Sequence, residues 1–255
     1  NTLSPVEFVN RDRGEGDLTI AKEVTHDFGV DYQIPADKAF TMRITLSGIG
    51  TKNATFDAEQ TNSDMTSITT DANGQFSVTL KNDEQLKIYG LPSETVATVV
   101  EQAPGAGFTA QYWDNGEQGD GIVSIARDST VSVIVVNDYA PAEVYPVNIA
   151  VSGSKTLSGR DWKNGDSFQF QLQRLLPNGT WQQLGNTVES VYGQTDFTFE
   201  EAFANERYAA AGSYYYRVIE LEPQTPLGGI TYDKTVHSFV VDVGDEDMDG
   251  ELEIV

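Results

Sequence analysis

Hydrophobic residues fall in short alternating runs, and no segment sustains a 3.6-residue repeat. Phe40, Met42, Ile44 and Leu46 alternate with polar neighbours. Gln75–Leu80, Leu86–Ile88, Thr95–Glu101 and Phe108–Tyr112 behave alike. Turn signals separate them at Asp71–Gly74, Gly90–Pro92, Pro104–Gly107 and Gly119–Gly121. Many short strands at this spacing predict an all-β chain built as antiparallel sandwiches. Two runs break the pattern. Val131–Tyr139 is β-branched almost throughout and apolar on both faces, which predicts a central strand, yet it ends on Asn137-Asp138. Leu18–Val24 carries Lys22 where alternation continues the apolar face of Leu18 and Ile20. A buried Lys needs a partner, and the Thr95 run ends on a carboxylate, Glu101. Lys22, Glu101 and Asn137 are therefore expected to meet in one core.

The plan repeats. After Ala140–Pro146, a stiff Pro-bearing linker, a strand is expected at Val147–Val151, followed by Lys155. Ser167–Leu172 answers Phe40–Leu46, and Gly212–Glu220 answers the strand ending at Glu101. His237–Val243 and Glu251–Val255 form a hairpin around Asp245–Gly250. Phe199–Arg207 is the helical candidate, at most a couple of turns. The expected organisation is residues 1–13 as the tail of a preceding domain or a linker, 14–141 as one sandwich, 142–146 as linker and 147–255 as a second sandwich. No counterpart of Val131–Tyr139 appears in that second copy, so the sequence is expected either to end mid-domain or to take its last strand from elsewhere. Pro5–Asp12 ends in Val9-Asn10-Arg11-Asp12 and repeats the pattern of Val136-Asn137-Asp138. Beginning at Asn1 without Met, the sequence reads as a fragment of something longer.

Charge narrows the function. Sixteen Lys and Arg against 39 Asp and Glu give a net charge of −23. Nucleic acid would be repelled, and the surplus serves solubility. No stretch is apolar enough to span a bilayer, so membrane insertion is not expected. There are no cysteines. An acidic, cysteine-free chain rich in Thr, Val, Tyr and Gly suits a bacterial surface protein that gains rigidity by means other than disulfides.

The Lys, Glu and Asn offer such a means. In a water-excluded core lined by residues such as Phe40, Phe76 and Phe108, burial neutralises both the amine and the carboxyl group. The amine becomes nucleophilic, and the protonated Glu polarises the Asn carboxamide. Attack on the side-chain carbon expels ammonia, with Glu101 moving the proton. Contact between the groups supplies the effective molarity that so poor an acyl donor requires. The product is an amide joining Lys22 to Asn137, and no cofactor is needed.

The Lys on the first strand, Glu101 before Gly107-Phe108, and the closing Val-Val-Asn-Asp-Tyr together resemble the self-crosslinking Ig-like domains of Gram-positive surface proteins and pilins, of the collagen-adhesin B type. Lys155–Arg160, Phe168–Leu172 and Tyr214–Glu220 resemble the streptococcal pilin-subunit version. The resemblance implies two tandem Ig-like sandwiches and a Lys22–Asn137 isopeptide bond catalysed by Glu101. In the second copy it implies Lys155 and Glu220, with the Asn beyond Val255; Asn10 could serve only from another molecule. It also implies an extracellular, wall-anchored setting, a structural and adhesive role rather than an enzymatic one, and a host ligand or other surface-protein domains as partners of a chain that is monomeric in isolation. Two departures stand out. Backbone pilins carry Tyr-Pro-Lys-Asn for sortase, where this chain has Tyr145-Pro146-Val147-Asn148, and no Leu-Pro-x-Thr-Gly signal is present.

Two further features compete for a role. Asp245, Asp247 and Asp249 with Gly250 match the start of a calcium loop, but no helices flank them and the twelfth-position Glu is missing, so a solvated acidic turn is the simpler reading. Trp113, Trp162 and Trp181, if exposed, would suit a carbohydrate-binding sandwich or one that recognises a host protein. His26 and His237 are isolated in sequence, and no catalytic triad or phosphate loop can be assembled.

Overall fold

In the computed structural model, which describes residues 12–27, 34–146 and 149–255, the chain divides into two compact units on either side of Ala140 and Pro141. Each is a β-sandwich of Ig-like type, and no helix occurs among the described residues. Among these residues no helix is therefore long and apolar enough to cross a membrane.

Among the described residues unit 1 holds eleven strands: β1 (Glu15–His26), β2 (Ala39–Ser47), β3 (Thr55–Gln60), β4 (Ser67–Thr69), β5 (Gln75–Lys81), β6 (Gln85–Pro92), β7 (Val96–Gln102), β8 (Phe108–Asp114), β9 (Glu117–Gly119), β10 (Ile122–Ser124) and β11 (Thr130–Tyr139). One sheet runs β4-β3-β6-β1-β11-β8-β9 and the other β10-β7-β2-β5. All pairings are antiparallel except that of β1 with β11, which are parallel and in register from Asp17↔Thr130 to His26↔Tyr139. Alternation drives the packing. Leu18 and Ile20 of β1, Met42 and Ile44 of β2, Val99 of β7 and Val133 and Val135 of β11 are all fully buried between the sheets. Strand β11 is central, flanked by β1 and β8.

Two local expectations need correction here. β1 begins at Glu15, so Arg13-Gly14-Glu15-Gly16, whose composition suits a linker, is half strand. Gly90-Leu91-Pro92 is no turn, because β6 runs on to Pro92. Instead Tyr89 and Gly90 oppose the single residue Asp17 in a bulge, with Gly90 at φ +67°, a conformation glycine adopts without a Cβ penalty. The Asp71–Gly74 turn does form, at φ +79° for Gly74, and a Cβ there would sit 2.3 Å from the Leu46 carbonyl oxygen. Gly74→Ala is accordingly expected to destabilise unit 1 by at least about 2 kcal/mol, read as a lowered urea midpoint.

Unit 2 holds β12 (Val151–Ser154), β13 (Ser167–Leu175), β14 (Trp181–Gln183), β15 (Val188–Val191), β16 (Asp196–Phe199), β17 (Gly212–Leu221), β18 (His237–Gly244) and β19 (Glu253–Ile254). Among the described residues β12 pairs with β16, while the larger sheet runs β14-β13-β17-β18-β19 with β15 also on β13. The core is aromatic: Phe168, Phe170, Phe199, Phe203, Tyr208 and Tyr216 are buried together. The first strand starts later than expected, at Val151; Val147 and Asn148 lie outside the described residues. Residues read as linker are stitched into this unit, since Val144 and Tyr208 exchange backbone hydrogen bonds at 3.0 Å in both directions. The helical candidate is a run of turns. Glu201 takes φ +55°, which no right-handed helix admits, and Ala202 and Phe203 are buried in the core.

Candidate functional site: a buried Lys–Glu–Asn cluster

Strand parity puts Lys22 on the inner face of β1 in line with Leu18 and Ile20, and Asn137 on the inner face of β11 in line with Val133 and Val135. The parallel register sets Asn137 opposite Val24, two residues beyond Lys22, so the side chains are neighbours on one sheet. Glu101 reaches them from the opposite sheet, at the end of β7 and in register with Met42. The structure thus brings together the three residues expected from sequence.

The cluster is closed to water: the side chains of Lys22 and Glu101 are 0% and 1% exposed, and Asn137 is fully buried. Lys22 Nζ stands 3.6 Å from Glu101 Oε1, and Asn137 Nδ2 donates to the same oxygen at 3.1 Å. Nζ also donates to the carbonyls of Glu23 at 3.0 Å and Val135 at 3.2 Å. Two carbonyl acceptors match the two N–H bonds of a neutral amine and leave its lone pair uncommitted. Aromatic rings wall the site. Nζ lies 4.5 Å from the Phe40 ring centroid, Phe108 meets Phe40 edge-on at 5.3 Å, and Tyr139 lies 4.4 Å from Phe108.

Burial dominates the electrostatics. Lost hydration pulls the Lys22 amine down to about 8, against the opposing attraction of Glu101. The same loss pushes the Glu101 carboxyl up, against the pull of Lys22 and the Asn137 hydrogen bond. Both shifts favour a neutral amine beside a protonated acid. Two atoms lack partners: Glu101 Oε2 and Asn137 Oδ1. A half-turn of the carboxamide exchanges Nδ2 and Oδ1 and presents the carbonyl oxygen to a protonated Glu101. That is the polarisation an attack on Cγ requires.

Unit 2 carries part of the same arrangement. Lys155, just past β12, donates to Glu220 Oε2 of β17 at 2.9 Å and lies 5.0 Å from the Phe168 ring centroid. The backbone N–H of Asp233 donates to that same oxygen at 2.8 Å, while Glu220 Oε1 is buried without a partner. Beside the pair runs a cleft of about 510 Å³ lined by Val151–Thr156, Phe239 and Glu220. The Asn10 suggested by sequence lies outside the described residues.

The rival features separate. The carboxylates of Asp245, Asp247 and Asp249 do gather, their oxygens within 4.8 Å of one another. Asp245, however, is buried and accepts backbone N–H groups from Asp249 and Gly250, which is how an acidic hairpin turn holds itself. The tryptophans are not a shared exposed platform. Trp162 packs edge-on against Phe168 at 5.2 Å, and the Arg217 guanidinium covers Trp181 at 4.2 Å; Trp113 is 38% exposed. Arg217 is also held by Gln173, a cross-strand pairing that alternation alone does not reveal.

Comparison with known proteins follows the two units. Residues 151–255 match the Spy0128-like isopeptide containing domain. The second unit is similar to that family of pilin-type isopeptide domains. Residues 16–139 match DUF7601, a domain of unknown function. No curated protein matches the chain. Among solved structures, the pilus-presented adhesin Spy0125 (Cpa) is 23% identical over 50% of this chain and 28% of its own, with a TM-score of 0.38. The major pilin from Streptococcus pyogenes is 18% identical over 49% of this chain and 48% of its own, also at 0.38. The T3.2 major pilin of the same species gives 18%, 49% and 45%, at 0.40. The chain spans less than half the length of these structures.

Proposed function

We propose that this chain is a load-bearing stretch of a Gram-positive cell-surface protein or pilus-like fibre, stiffened in unit 1 by an amide bond that Lys22 and Asn137 form with Glu101 as proton shuttle. The buried Lys–Glu–Asn cluster carries the reading. Lys22 Nζ attacks Asn137 Cγ, the C–Nδ2 bond breaks, and Glu101 passes the amine proton to the departing ammonia. The reaction turns over once and stays within the chain. Lys155 and Glu220 hold the same roles in unit 2, with the Asn delivered on a strand outside residues 149–255.

Topology supports a mechanical role. Tension enters unit 1 at the start of β1 and leaves at the end of β11, and these strands are parallel neighbours. The bond joins the two strands directly, so force passes from β1 to β11 without loading the rest of the sandwich. Anchoring to the cell wall would come from regions outside this sequence, and adhesion to a host ligand from loops on this framework.

Pulling single molecules between residues 12 and 145 tests the reading. The bond shields the 115 positions from Lys22 to Asn137. Wild type is expected to release none of that length, whereas Glu101→Ala should release about 390 Å at ~3.4 Å per residue. Full extension of wild type would defeat the proposal.

A further inference from the structure

The outer face of the larger sheet in unit 2 carries side chains that neither the core nor the amide chemistry uses. Strand parity sends Phe168, Phe170 and Leu172 of β13 and Tyr216 of β17 inward, so Gln171, Gln173, Tyr215 and Arg217 face outward. Register sets Gln183, Gln173, Arg217 and Ser238 side by side across β14, β13, β17 and β18. The neighbouring row has Trp181 beside Leu175 on β14 and β13, and Tyr215 beside Val240 on β17 and β18. An aromatic row thus runs alongside a row of amides and one guanidinium.

The amides are wired in one direction. Arg217 Nε donates to Gln173 Oε1 at 2.7 Å, Gln173 Nε2 to Gln171 Oε1 at 2.5 Å, and Gln171 Nε2 to Gln183 Oε1 at 2.6 Å. Gln183 Nε2 closes the chain on the Gly185 carbonyl at 3.1 Å. Arginine can only donate, so it fixes the orientation of every amide behind it. The guanidinium carbon also lies 4.2 Å from the centre of the Trp181 ring, a cation–π contact. Two independent holds therefore preset the side chain. The far edge of its fork, Nη1 and Nη2, meets no acceptor among the described residues, in a chain with 39 Asp and Glu. The carboxylates on this face of β15 and β18, Glu189 and Asp242, are engaged by Gln169 at 2.6 Å and Ser213 at 2.5 Å. Their partners lie four residues along the strands from the Arg217 row, about 13 Å away.

We propose that this face binds a sugar acid, a glycan residue whose carboxylate seats on Nη1 and Nη2 of Arg217 while its ring lies on Tyr215. Guanidinium and carboxylate meet through two parallel N–H···O bonds, which the point charge of a lysine does not supply. Tyr215 stands two residues along β17, about 7 Å from Arg217. It is 48% exposed, so its ring gives the C–H face of a pyranose a flat apolar partner. Gln171 and Gln173 each keep one amide N–H and one oxygen lone pair unused, the donor and acceptor that hydroxyl groups need. A flat sheet face suits a stacked ring better than a peptide anchor, which needs a pocket to fill. The chain's acidic surplus repels anions at long range, but the Debye length is about 8 Å at 0.15 M salt, so the contact decides. The site does not depend on the amide chemistry of unit 1.

The test titrates the full chain at about 0.15 M salt and follows binding by NMR shifts. The probes are sialyllactose and a hyaluronan tetrasaccharide, their neutral counterparts lactose and chitotetraose, and a tetraglutamate peptide. The expected result is that an acidic saccharide binds about tenfold or more tightly than its neutral counterpart. The two acidic probes separate a sialic from a uronic acid as the source of the carboxylate. Arg217→Lys keeps the charge but removes the fork, and should bring acid and neutral sugar within about twofold of each other. Because this is a ratio within one variant, a folding defect does not imitate it. Gln173→Glu gives Arg217 a carboxylate of its own and should likewise erase the preference, with the arginine still present. Equal binding of acid and neutral sugar, an acid preference that survives Arg217→Lys, or tetraglutamate binding as tightly as the acidic saccharides would each overturn the proposal. So would the absence of any shift with either acidic saccharide at about 10 mM.

Discussion

Replacing Glu101 by Ala is expected to lower the melting temperature of unit 1 by roughly 15–20 °C. Two effects act in the same direction. Without the shuttle the Lys22–Asn137 bond does not form, and the unfolded chain recovers the freedom of a loop of 115 positions. By analogy with a disulfide closing a loop of this size, that alone is worth about 4–5 kcal/mol. The variant also leaves the Lys22 amine fully buried with no carboxylate beside it, and stranding one partner of a buried pair adds a further penalty of several kcal/mol. The penalty is moderated because the amine can shed its proton. At about 3–5 °C per kcal/mol for a unit of this size, the bond term accounts for most of the shift. Calorimetry on wild type and Glu101→Ala measures it. A shift under about 5 °C would mean that no bond forms in wild type.

The second large effect is a pH dependence that only the unbonded protein shows. In Asn137→Ala the Lys22 amine stays free. It ionises near about 8 when folded and near 10.5 when unfolded. Between those values the unfolded chain holds a proton that the folded one lacks, so stability rises with pH across this window. Below about 8 both states are protonated and the burial cost is carried in full. The rise from pH 7.5 to 10 is expected to be about 2–3 kcal/mol, since each pK unit corresponds to about 1.4 kcal/mol. Lys22→Met/Asn137→Ala lacks the amine and supplies the baseline for other titrating groups. Wild type should follow that baseline, because an amide does not titrate. Urea midpoints across the window measure all three, and a single variant parallel to the double variant would show that Lys22 is not held neutral by burial.

Much of the site could be read from the chain because its residues break strand rules. Lys22 sits on an apolar parity, Asn137 ends the most apolar strand, and Glu101 ends another, and each exception is visible from neighbours one or two positions away. Their meeting across two sheets follows once alternation assigns each strand an inner face. What stayed hidden depends on partners distant in sequence. The bulge at Tyr89-Gly90 is set by β1, and the identity of residues 89–91 also suits a turn. Glu201 sits in a segment of helix-forming composition, but the buried Ala202 and Phe203 fold it into turns. Trp181 looked available until Arg217, 36 positions on, was found covering it.

The measurement that bears most directly on the central claim is the intact mass of the purified chain beside that of Glu101→Ala. An internal amide between Lys22 and Asn137 removes one ammonia, about 17 Da, from the wild type, while the variant keeps the mass of its sequence. Wild type at full sequence mass would contradict the account, and Lys22, Glu101 and Asn137 would then be a buried polar cluster within an ordinary sandwich.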